Sequence, residues 1–136
     1  MQTCDRRDAA GAKILVVDDE EDVREIFRLA LTRKGYEVTQ FGDGAEALKA
    51  ATEQQFGLAF VDIAMPGMDG VEVVENLRRL SPATNIVMIT AFLDGGLAPE
   101  EREDRVQKAL GLGARGCLRK PFGMDTIVKT AEYFAR

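Results

Sequence analysis

Residues 13–35 read KILVVDDEEDVREIFRLALTRKG. The stretch opens with a short apolar run, 13–18, that breaks abruptly into five acidic residues packed into positions 18–22. Beyond them Val23, Ile26, Phe27, Ala30 and Leu31 recur at the three- and four-residue spacing of a helix with one apolar face, and Gly35 supplies a stop. The unit is a strand followed by a helix, and the rest of the chain repeats it.

Strand-length runs recur at 36–41 (YEVTQF), 57–62 (GLAFVD), 85–90 (NIVMIT) and 116–120 (GCLRK). Between them lie helical segments. GAEALKAATEQ starts near Asp43 or Gly44. GVEVVENLRRL is expected to bury Val71, Val74 and Leu77 and to close at Ser81-Pro82, because a residue before proline is pushed out of helical geometry. A fourth helix opens at Pro99, whose fixed φ suits a first helical position, and runs to about Leu110. A fifth follows Pro121 with Met124, Ile127, Val128, Ala131 and Phe134 inward. Strands alternating with helices, without hairpin signals, need crossover connections and hence a parallel sheet covered on both faces. The expected fold is an α/β three-layer sandwich of five parallel strands and five helices.

Length and charge narrow the function. A chain of 136 residues suits one domain, expected over 13–136, with 1–12 as a loose leader. No apolar stretch approaches the roughly 18 residues of a membrane span, and no secretory signal is evident, so a cytoplasmic place is the default expectation. A net charge of −5 without a basic run argues against nucleic-acid binding by this segment. The two cysteines, Cys4 and Cys117, form no metal or disulfide pattern, and histidine is absent. Chemistry is left to Asp, Lys, Thr and a hard cation.

Ligands of an open parallel sheet bind beyond the carboxyl ends of its strands. There the first strand ends in Asp18 and Asp19, the third in Asp62, the fourth in Thr90 and the fifth in Lys120. If the first and third strands are neighbours, three carboxylates converge and raise one another's pKa. A divalent ion between them resolves the conflict, and oxygen donors without His or Cys select Mg²⁺. Taken singly, the same residues have plainer readings: Asp18 and Asp19 as helix caps, 65–70 as turn chemistry, Lys120-Pro121 as a strand terminator.

Together, VVDDEED, VDIAMPGMDG, MITAF and LRKPF, in that order from residue 13 to about 135, resemble the receiver domain of two-component response regulators. The resemblance implies a flavodoxin-like sheet of order 2-1-3-4-5 and a phosphoryl-accepting switch in a two-component or phosphorelay pathway. It implies that Asp62 accepts the phosphoryl group from a sensor histidine kinase or histidine phosphotransfer protein. Mg²⁺ would be held by Asp18 through water, by Asp19, by Asp62 and by the backbone carbonyl of Ala64. Thr90 would bond a phosphoryl oxygen, Lys120 would pair with it, and the Lys120-Pro121 bond would be cis. Output would pass to a downstream protein or an effector domain outside the segment.

Two departures from the family pattern stand out. Cys117 occupies a position usually aromatic, where it reads as a small buried strand residue, with a redox role as the alternative. The loop AFLDGGLAPE is longer than usual, a surface insertion or a docking element. Ala64 and Phe92 would leave an attacking water few polar partners. Two other functions compete. A magnesium phosphatase with an aspartyl intermediate needs an acid two residues after the nucleophile, where Ala64 stands. A pseudo-receiver that only binds partners would have lost a pocket residue, and none is lost.

Overall fold

The computed structural model describes residues 12–65, 69–91 and 97–135. Its elements alternate as the sequence predicts: β1 (Lys13–Val17), α1 (Glu21–Thr32), β2 (Glu37–Phe41), α2 (Gly44–Glu53), β3 (Leu58–Asp62), α3 (Gly70–Leu80), β4 (Asn85–Ala91), α4 (Pro99–Gly111), β5 (Gly116–Lys120) and α5 (Met124–Phe134). All pairings are parallel, in the order β2-β1-β3-β4-β5. The loose leader expected over 1–12 lies outside the described residues except for Ala12, whose carbonyl accepts the Glu37 N–H.

Both faces of the sheet are covered, so the central strands read as unbroken apolar runs rather than alternating ones. Leu15, Val17, Ala59, Val61, Ile86 and Met88 point into one core with residues of α2, α3 and α4. Ile14, Val16, Leu58, Phe60, Val87 and Ile89 point into the other, where Phe27 and Leu31 of α1 meet Ile127 and Ala131 of α5. Phe27 lies against Phe60 with ring centroids 4.7 Å apart.

Helix boundaries follow local chemistry. Asp43 caps α2 through the Ala45 and Glu46 amides, and Asp69 and Glu72 form a reciprocal capping box on α3. α3 ends at Leu80, with Ser81 as its C-cap. Two expectations need correction. The buried stripe of α3 is Gly70, Val73, Val74 and Leu77, while Val71 is only partly covered. The helical spacing starts from Gly70, which carries no apolar side chain to announce it. Cys117 is exposed, not buried. α4 packs against β4 and α3, and leaves its side of the edge strand β5 uncovered at Cys117 and Arg119.

Candidate phosphoacceptor site

β1 and β3 are neighbours, with Val17 opposite Val61, so the residues that follow them share one edge of the sheet. There Asp18, Asp19 and Asp62 bring carboxylate oxygens within 4.8 Å of one another. Asp18 is fully buried, Asp62 is 3% exposed, and Asp19 faces solvent. Backbone amides hold the two buried carboxylates in place. The Glu20 N–H donates to Asp18 Oδ1 at 2.9 Å, and the Ala64 N–H donates to Asp62 Oδ1 at 2.9 Å. Neither Asp18 nor Asp19 caps α1, whose N-cap is Glu20 without a side-chain bond.

Lys120 enters from the end of β5. Its Nζ stands 3.2 Å from Asp18 Oδ2 and 3.7 Å from Asp62 Oδ2, and it also pairs with Glu20. Thr90, buried at the end of β4, completes the edge one residue beyond the Asp62–Ile89 register pair. The Lys120-Pro121 bond is cis, as the resemblance implies. Phe92 and most of the extended loop, residues 92–96, lie outside the described residues, as do 66–68 of the turn after the acceptor.

The electrostatics are those of a strained anion cluster. Burial, and then the charge of Asp18, push the Asp62 carboxyl up from 3.8 to about 8. Asp18 is also raised, by burial first, against the pull of the Glu20 amide and Lys120. Burial works against the Lys120 charge, yet Glu20, Asp18 and Asp62 hold its pKa above the ordinary lysine value. One lysine does not balance the cluster. Asp18 Oδ2 is buried with no hydrogen bond, because the nearby Nζ is close without being well directed. An orphaned carboxylate oxygen among oxygen donors fits a hard divalent cation better than it fits a finished ion pair.

Some contributors were not singled out from the sequence. Glu20 shares Lys120 with the pocket, and the acidic run that contains it was the available signal. Arg24 donates to the Asp18 carbonyl at 2.8 Å, and Gly42 leaves the space it needs, since a Cβ there would lie 2.8 Å from the guanidinium. Gly70 lets α3 begin against the acceptor backbone, where a Cβ would lie 2.3 Å from the Asp62 carbonyl oxygen. These last contacts are to backbone groups or made by glycines, and leave no pattern of side-chain types in the sequence.

A doubly wound parallel sheet with an acidic pocket and a facing lysine at its carboxyl edge defines the class of aspartate-based signalling switches. The chain belongs to the response regulator receiver domain family, which it matches over residues 14–132, and it is a phosphoacceptor switch domain of two-component systems. It is 34% identical to the response regulator receiver protein CpdR of Brucella abortus, over 88% of this chain and 93% of that protein. It is 38% identical to the alkaline phosphatase synthesis transcriptional regulatory protein PhoP of Bacillus subtilis, over 81% of this chain but only 42% of the longer relative. Among solved structures, Vibrio cholerae chemotaxis protein CheY4 superposes with a TM-score of 0.78 at 34% identity, covering 91% of this chain and 98% of the other. No helix among the described residues is long and apolar enough to cross a membrane.

Proposed function

We propose that Asp62 is the phosphoacceptor of a cytoplasmic receiver domain spanning 13–136, served by a sensor histidine kinase or a histidine phosphotransfer protein. The observation that carries this reading is the convergence of Asp18, Asp62 and Lys120 in one buried pocket. An Asp62 oxygen attacks phosphorus, the bond from phosphorus to the donor imidazole breaks, and the imidazole leaves. The Ala64 amide fixes one Asp62 oxygen and so turns the other toward the opening. Lys120 stands where it meets the charge of the new phosphoryl group, and the Thr90 hydroxyl is available to one of its oxygens.

Asp18, Asp19, Asp62 and the Ala64 carbonyl would hold Mg²⁺, which supplies charge neutralisation when bound. The same pocket intact, with lysine and all three carboxylates present, favours phosphorylation over a binding-only role. Ala64 in place of a second acid disfavours a phosphatase. Output is read by a downstream protein or effector domain. The test is incubation with acetyl phosphate and Mg²⁺ followed by intact-protein mass spectrometry. Wild type should gain one phosphoryl group and Asp62→Asn none. An unlabelled wild type, or a labelled Asp62→Asn protein, overturns the reading.

A further inference from the structure

The peptide just after Asp62 is held from an unexpected direction. Arg105, half-buried on α4, reaches across to donate from Nη1 to the Ile63 carbonyl at 3.0 Å. Among the described residues, one other donor, the Gly70 N–H at a long 3.4 Å, addresses that oxygen. Arg105 therefore provides its main partner, a charge-assisted bond to a backbone group beside the acceptor.

Nearby acids make that choice informative. The cleft of about 300 Å³ that contains Arg105 is also lined by Asp69, Glu72, Glu101 and Asp104. An arginine among four carboxylates would ordinarily pair with one of them. Each has another use. Asp69 and Glu72 cap α3, Glu101 accepts from the Ala98 amide, and Asp104 pairs with Lys108 at 3.3 Å. The guanidinium is left to turn inward, to the loop. Ile63 is itself pinned on its other side, where its N–H donates to the Ile89 carbonyl of β4 at 3.1 Å.

We propose that Arg105 is a positioning residue of the acceptor site, a tether from α4 that fixes the Ile63–Ala64 peptide plane. The inference rests on the phosphoacceptor reading, because the tethered plane carries the Ala64 N–H that holds Asp62 Oδ1 at 2.9 Å and leads into the Ala64 carbonyl, the backbone group assigned to the cation. Through the same bond the placement of α4 and the pose of the acceptor loop depend on each other.

The sign of one measurement separates this role from simple electrostatics. Removing a positive side chain near a cation site should tighten cation binding by Coulomb's law. Losing a group that orients a ligand should weaken it, by about tenfold at the low end for such groups. The experiment compares wild type, Arg105→Met and Arg105→Lys by NMR, first without metal and then during a Mg²⁺ titration. Arg105→Met should exchange the Ala64 and Gly70 amides faster than wild type and bind Mg²⁺ about tenfold more weakly. Arg105→Lys, which still donates to the carbonyl, should recover most of both. Unchanged exchange at both amides, or Mg²⁺ affinity equal to or tighter than wild type in Arg105→Met, overturns the tether. If wild type itself takes up no Mg²⁺, the phosphoacceptor reading falls, and the metal-free exchange comparison alone decides the role of Arg105.

Discussion

Replacing Asp62 by Asn keeps the shape of the side chain and the bond from the Ala64 amide but removes the charge. The metal-free protein should become more stable at neutral pH, and Mg²⁺ should no longer stabilise it. In the fold the Asp62 carboxyl is pushed up from 3.8 to about 8, so between those values the folded state holds a proton that the unfolded chain releases. Stability from this group is fully present below the unfolded pKa and is lost as pH rises toward about 8. Each pH unit inside that window is worth about 1.4 kcal/mol, which sets an upper limit of about 4 kcal/mol at neutral pH. Movement of Lys120 and of water around the new charge absorbs roughly half, leaving about 2 kcal/mol, or about 6–10 °C in Tm for a domain of this size. The assay is urea unfolding followed by circular dichroism, with chelator present, at mildly acidic and mildly alkaline pH. Wild type should lose stability between the two conditions, and Asp62→Asn should lose far less. A variant no more stable than wild type, with the same pH slope, would refute the picture of a buried carboxylate under strain.

Three further outcomes are expected. Lys120→Met should lower metal-free stability at neutral pH by about 1–3 kcal/mol, because Asp18 and Asp62 lose the cation beside them, and Mg²⁺ should restore much of it in the same unfolding assay. Gly70→Ala should cost at least about 2 kcal/mol, since a Cβ at 2.3 Å from the Asp62 carbonyl forces the start of α3 and the acceptor loop apart; calorimetric melting reads this directly. Ala64→Glu and Phe92→Ala should each shorten the lifetime of the phosphorylated protein in Mg²⁺, by giving water a polar partner or an open approach. A time course of phosphoprotein decay checks this, and equal rates for wild type and the double variant would place control of water elsewhere.

Much of this architecture could be read before any coordinates, for a physical reason. β1, β3 and β4 are covered on both faces, so they appear as continuous apolar runs ending in polar residues, and Asp18, Asp62 and Thr90 mark those ends. What escaped the sequence depends on tertiary placement. Val71 and Val73 are equally apolar, and only the rotation of α3 about Gly70 decides which is buried. Cys117 reads as a core residue because a free cysteine is among the residue types most often buried, but exposure there is set by where α4 lies. Its thiol is nonetheless pushed up, by partial burial first and with Glu103 adding to it against Arg119. Arg105 sits on a charged helix whose own sequence gives no hint that one guanidinium reaches a carbonyl 42 residues away.

All five residues of β3 are buried, and the strand has no outward face. A strand of that kind has no position at which its sequence can drift freely, since a larger side chain overpacks one core or the other and a smaller one leaves a void. Across descendants of such a gene, the segment carrying the acceptor is therefore held still by packing alone, whatever the demands of chemistry. Divergence that suits one copy to one partner and a second copy to another has to accumulate on the outer surfaces of the helices, where a substitution leaves both cores and the acidic pocket as they were.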